Sequence, residues 1–171
     1  MRKLGLILMA FVFLFSMILI AEEGKVNFSG TWSFNKDKSE AGGDGGRGPG
    51  RMASSKLVVK QEKDKIVIER TGQGRGGETF TQKEELTLDG KENKVEGFGG
   101  RERTVVVKWT DEGKTLTISS RMIFERNGEE FEMKSSEVWS LDNEGKDLVI
   151  NSTRNTPRGE RKSKLVYTKS E

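Results

Sequence analysis

The sequence contains neither cysteine nor histidine. Without cysteine the chain has no disulfide framework, so its stability must come from hydrophobic burial and a hydrogen-bonded backbone ladder. Lacking both residue types, it also lacks the commonest ligands for zinc, copper and haem. Carboxylates remain for hard cations, but none has the spacing of a calcium loop. A nucleophile elbow and a phosphate-binding loop are missing as well. No catalytic set, metal or cofactor is therefore expected. Helical periodicity is almost absent beyond the first two dozen residues.

What is present begins with export. Met1-Arg2-Lys3 gives a short basic start, and residues 4 to 21 form an uncharged run that ends where Glu22 and Glu23 return the chain to polar sequence. That layout predicts a signal peptide over residues 1–21, cleaved after Ala21, and a secreted or periplasmic protein. The alternative is a retained anchor, since 18 apolar residues reach about 27 Å as a helix. Basic stop-transfer residues do not follow the run, which favours cleavage and leaves no transmembrane span in the mature chain. A bacterial lipid anchor would need a cysteine at the cleavage point. Removing Arg2 and Lys3 leaves 28 basic against 27 acidic residues, so the mature charge is close to neutral. Residues 22–171 suffice for one domain with one core.

Within that domain, apolar and polar residues alternate between turn signals, the pattern of half-buried strands. Expected strands are Asn27–Asn35, Lys56–Glu62, Lys65–Arg70, Glu78–Leu88, Asn93–Phe98, Arg101–Trp109, Lys114–Glu125, Glu129–Leu141, Lys146–Arg154 and Glu160–Lys169. Asp89-Gly90, Asp111-Glu112-Gly113, Asn127-Gly128 and Asp142-Asn143-Glu144-Gly145 mark tight connections, because their residues tolerate positive φ. The fold expected is an all-β, up-and-down antiparallel barrel of about eight to ten strands with no open edge. Its outer face should be wet. A glycine-rich loop at 41–55 follows the first strand. Gln61, Gln82, Glu84, Arg103, Ser120, Ser135, Glu137, Ser152 and Arg154 continue the apolar parity of their strands. Either bulges turn them to water or they line a partly polar cavity.

Asn27-Phe28-Ser29-Gly30-Thr31-Trp32 resembles the Gly-x-Trp opening of the lipocalin and fatty-acid-binding protein superfamily, the calycins. Leu165-Val166-Tyr167-Thr168-Lys169 is similar to the last strand of the fatty-acid-binding branch. The resemblance implies a lipocalin-like barrel, Gly30 and Trp32 as structural motif residues with Trp32 in the core, and a ligand cavity. In that branch the last strand carries Arg-x-Tyr toward a ligand carboxylate; here Leu165 stands at the arginine position and Tyr167 alone matches. The family's helical lid is replaced by the loop at 41–55. The export signal and that loop look more like small lipocalin-like proteins exported by bacteria.

Meander topology places the loops after odd-numbered strands on one rim. That rim gathers Arg47, Arg51, Arg75, Arg101 and Arg158, with Arg70, Arg103, Arg126, Arg154 and Arg161 at the strand ends beside it. The opposite rim, with Lys63-Asp64, Asp89-Gly90, Asp111-Glu112 and Asp142-Asn143-Glu144, has no arginine. Either an anion portal is implied, or these arginines are solvated and balanced by Glu69, Glu78, Glu102 and Glu160. Arg103, Arg154, Gln82 and Tyr167 are the candidate ligand-binding residues. A small amphipathic or anionic partner is expected, or else a packed interaction domain without ligand. Glu84 and Glu137 form the one carboxylate pair on inward parity, and an internal ion pair with Arg103 or Arg154 accounts for them better than acid–base chemistry. Nucleic acid is not an expected partner, since export, near-neutral charge and the lack of aromatics among the Gly-Arg clusters oppose it. The sequons at Asn27 and Asn151 fall within expected strands and are taken as chance. No oligomeric state follows from these features.

Overall fold

The structure is a computed structural model that describes residues 24–40, 53–74, 76–96, 100–126, 128–156 and 159–170. It contains ten strands: β1 Gly30–Glu40, β2 Lys56–Gln61, β3 Lys65–Gln73, β4 Thr79–Thr87, β5 Glu92–Glu96, β6 Glu102–Thr110, β7 Thr115–Arg126, β8 Glu129–Asp142, β9 Asp147–Thr156 and β10 Gly159–Lys169. Their order in one sheet is β4-β3-β2-β1-β10-β9-β8-β7-β6-β5. Every paired neighbour is antiparallel. The first and last strands meet, with Trp32 opposite Lys169 and Phe34 opposite Tyr167, and the meander curls into a nearly closed barrel of calycin type.

The expected unbroken ladder is corrected at one place, because β4 and β5 are the two ends of the sheet order and share no backbone pairing. β5 has only five residues, and Glu92, Lys94 and Glu96 point outward from it. Short, charged edges of this kind resist pairing. Side chains span the seam instead. Asn93 Oδ1 accepts from the Thr87 backbone N–H at 2.9 Å, and Gln82 Nε2 donates to the Glu96 carbonyl at 3.1 Å.

β1 starts at Gly30, three residues later than expected, because residues 24–29 cross beneath the barrel. Asn27 Oδ1 accepts from the Ser29 N–H at 2.9 Å, a local turn that competes with strand pairing. Asn27 thus lies exposed ahead of the strand, whereas Asn151 lies within β9. Gly30 has φ +152°, and a Cβ there would stand 3.1 Å from Lys169 Cε, which explains the glycine in the Gly-x-Trp opening. Gln61 clamps the crossing segment, accepting from the Phe28 N–H and donating to the Val26 carbonyl, both at 3.0 Å. Val26 N–H in turn donates to Gly113 O at 3.0 Å. Phe28 is thereby fixed under Trp109 and Trp139, each with its ring centroid 6.0 Å away.

The packed core fills this end of the barrel. Trp32, Leu57, Ile66, Leu86, Leu116, Trp139 and Leu148 are fully buried, each on its strand's inward parity, and burial of one such side chain contributes about 1.5–3 kcal/mol. Trp32 Nε1 donates to the Phe28 carbonyl at 3.0 Å, so burying its indole leaves no orphan donor. The outward face is polar, and Ile123 is the one large apolar side chain exposed among the described residues. No helix among these residues is long and apolar enough to cross a membrane.

Candidate functional site

Toward the opposite rim the inward positions change character at a common level. Ile66 and Ile68 on β3 are followed by Arg70, Leu86 on β4 gives way to Glu84 and Gln82, and Val105 on β6 gives way to Arg103. On the facing wall, Ile118 leads to Ser120, Trp139 to Glu137, and Ile150 to Ser152 and Arg154. The register aligns them, with Arg70 opposite Gln82, Ser120 opposite Ser135, and Ser135 opposite Arg154. Apart from Gln61, which clamps the crossing segment at the other end, the polar residues on apolar parity therefore face inward, as a belt across the barrel, and no bulge turns them to water. Above the belt a collar of Phe80, Met122, Phe124, Phe131 and Met133 is half-buried. Phe124 and Phe131 stack with centroids 5.6 Å apart.

Two ion pairs organise the belt. Arg70 Nη2 lies 2.8 Å from Glu137 Oε2, and its guanidinium sits 5.5 Å over the Trp139 ring. Trp139 Nε1 donates to the same Glu137 oxygen at 2.9 Å. Burial pushes the Glu137 carboxyl up, but the Arg70 charge and the donors from Trp139 and Arg70 outweigh it and hold the group below its usual range. The second pair joins Arg103 to Glu84 across the seam, and Gln82 Nε2 donates to Glu84 Oε1 at 3.0 Å. Across the belt, the Ser120 and Ser135 hydroxyls are 2.8 Å apart.

Of the four candidate ligand residues, Arg103, Gln82 and Arg154 share this belt. Arg103 is paired with Glu84, as the internal-pair reading of that carboxylate expected, whereas the partner of Glu137 is Arg70. Gln82 is engaged with Glu84 and the seam. Tyr167 is only 1% exposed, with its ring packed edge-on to Phe34 at 5.5 Å and its phenol within electrostatic reach of the Arg70–Glu137 pair. Burial above all raises its phenol to about 12; Glu137 adds to the rise, while Arg70 and a backbone hydrogen bond from Ser54 oppose it. Arg70 was placed on the rim from sequence, although its shared parity with Ile66 and Ile68 is the signal that puts it inside. Arg101 is an exposed rim residue. Arg47, Arg51, Arg75 and Arg158, and the expected signal segment, lie outside the described residues, as do residues 41–52 of the glycine-rich loop. Among the described residues no cluster of carboxylates could hold a metal ion.

Among the described residues the belt brings Arg70, Arg103 and Arg154 together with Glu84 and Glu137, beneath an apolar collar and above a filled floor. No family model and no curated protein matches the chain. A solved structure does: zebrafish ileal bile acid-binding protein complexed with cholic acid, at 18% identity and a TM-score of 0.52 over 84% of this chain and 98% of that one. The likeness is one of fold, a barrel of the fatty-acid-binding-protein type.

Proposed function

We propose that this chain is an exported, non-enzymatic binding protein that holds a small amphipathic anion in the upper half of its barrel. The belt carries the proposal. Arg70, Arg103 and Arg154 bring guanidinium groups together at a level where the wall above is apolar and the floor below is closed. An anionic head seated among guanidinium groups would gain charge-assisted, bidentate hydrogen bonds, and its apolar body would lie against the phenylalanine and methionine collar. The packed floor limits ligand length. Glu137 and Phe131 are six residues apart on β8, about 20 Å of strand and, at a barrel tilt of about 40°, about 15 Å of depth. A compact amphiphile suits that depth better than a long extended chain. Cholic acid, held by the zebrafish protein of similar fold, is a compact carboxylate of this sort. Glu84 and Glu137 are each held in an arginine pair, which argues against acid–base catalysis.

A second reading, a packed interaction domain without ligand, is favoured by the same two ion pairs, since each satisfies its own charges. Titration of cholate and medium-chain fatty acids, followed by intrinsic tryptophan fluorescence, separates the two. Saturable, salt-sensitive binding that weakens about tenfold or more in an Arg103→Ala, Arg154→Ala variant supports the binding protein. No saturable binding by the wild type, or equal binding by both proteins, leaves the packed domain. Export rests on the leader pattern, and N-terminal sequencing of the mature protein is expected to begin at Glu22. A retained Met1 would overturn it.

A further inference from the structure

A second concavity lies outside the barrel, on the outer face of β5–β9, where a groove of about 360 Å³ opens to solvent. Its origin is local in the sequence. β7, β8 and β9 each carry two adjacent hydroxyl residues, Ser119-Ser120, Ser135-Ser136 and Ser152-Thr153, and pairing brings Ser119 opposite Ser136 and Ser136 opposite Thr153. One residue of each pair points outward, so the outer wall is short-sided at its centre and long side chains stand around it. The groove follows two neighbouring rows across the sheet. One row runs Glu92, Val106, Ser119, Ser136, Thr153, and the next runs Thr104, Arg121, Lys134, Asn155. The hydroxyls of Thr104, Ser119, Ser136 and Thr153 make no hydrogen bond within the described residues.

Arg121 and Lys134 are direct cross-strand partners, an arrangement of like charges that costs stability unless an anion sits between them. Glu132 serves both from one side, 3.8 Å from Arg121 Nη1 and 2.9 Å from Lys134 Nζ. The two side chains are about half-exposed, at 51% and 60%, which leaves donors free toward the groove. Glu92 at the β5 end and Asn155 at the β9 end offer acceptors for hydroxyl groups.

From this geometry we infer that the outer groove binds a sugar acid, a polyhydroxylated ring carrying one carboxylate. The carboxylate meets Arg121 and Lys134, and the ring hydroxyls meet the serine and threonine floor, with Glu92 and Asn155 as acceptors. The volume sits at the small end of ligand sites, which span roughly 300–1,000 Å³. Val106 alone among the lining residues is large and apolar, so a lipid tail finds no floor, and the absence of an aromatic side chain removes a stacking platform for nucleobases.

The test is amide chemical-shift mapping of the purified protein during titration with D-glucuronate, D-glucose and sulfate in parallel. Glucuronate is expected to give saturable shifts centred on Ser119, Ser136 and Thr153, with glucose at least about tenfold weaker because the charge-assisted contacts are lost. An Arg121→Ala, Lys134→Ala variant, altered only at exposed side chains, should keep its fold and lose the preference for glucuronate over glucose. Ser136→Leu, which fills the floor, should abolish the shifts. No saturable glucuronate shifts would overturn the inference. So would equal affinity for sulfate, which would make the groove a plain oxyanion site, or shifts that survive Ser136→Leu.

Discussion

Replacing Glu137 by glutamine removes one negative charge from the barrel interior and almost no volume. In the wild type that carboxylate accepts from Arg70 at 2.8 Å and from Trp139 Nε1 at 2.9 Å, on the same oxygen. Glutamine can keep one weakened acceptor contact but leaves the Arg70 guanidinium against the Trp139 ring without a counter-charge. Removing one partner of a fully buried pair costs about 3–5 kcal/mol, and a hydrogen bond to a charged group is worth about 1.5–3 kcal/mol. The two side chains retain 20% and 27% exposure, so water screens part of the loss and about 2–3 kcal/mol is expected. For a domain of this size that lowers the melting temperature by about 5–10 °C. Acid supplies the control. The Glu137 pKa in the folded protein lies below its ordinary 4.5, so its stabilisation is fully present above the ordinary carboxylate range and is lost as pH falls through the depressed value. Melts followed by circular dichroism should therefore show a constant gap between wild type and Glu137→Gln from neutrality down to that range, narrowing below it. An Arg70→Met, Glu137→Leu double variant should recover much of the loss, since the pair is removed together. Equal melting at neutral pH, or a gap that persists undiminished in strong acid, would refute the assignment of the pair as a coupled interior contact.

Trp32→Ala should cost about 3–5 kcal/mol in urea unfolding, because a fully buried indole and its bond to Phe28 are lost together. Unchanged melting would contradict the role assigned to the Gly-x-Trp opening. Tyr167 is the sole tyrosine of the chain, so phenolate absorbance reports on it alone. Its ionisation in the folded protein is expected near pH 12 rather than 10. The neutral phenol's contribution is complete below the unfolded pKa of about 10 and is lost as pH rises toward the folded one. Titration near 10 in the folded protein would place the ring outside the core.

The strand pattern was legible because alternation is enforced wherever one face of a sheet is buried, and the register of β6 through β9 follows it residue by residue. The start of β1 was less legible. Asn27-Phe28-Ser29 alternates like a strand, yet the Asn27 side chain takes the Ser29 amide and Phe28 leaves the ladder to plug the barrel. The belt was half visible. Parity placed Glu84, Arg103 and Glu137 inside, but sequence spacing holds no information on which charges meet across the barrel. Arg70 was missed because a charged residue at a strand end reads as solvated until its wall partners are known. The outer groove was invisible for a different reason: three hydroxyl pairs far apart in sequence become one surface only once β7, β8 and β9 are in register.

The seam between β4 and β5 makes the wall a clasped cuff instead of a hoop. In a fully hydrogen-bonded barrel the girth is fixed by strand number and stagger, and widening it anywhere would break a row of backbone bonds. Here the circumference is joined at one place by side chains, with Gln82 reaching Glu96, Asn93 reaching Thr87 and Arg103 reaching Glu84. Each such neutral contact is worth about 1 kcal/mol, and long side chains can follow a moving partner by changing rotamer. The barrel can thus change its bore while every rung of its backbone ladder stays made. Because Arg103 and Glu84 belong both to the clasp and to the belt, whatever competes for Arg103 inside also loosens the cuff.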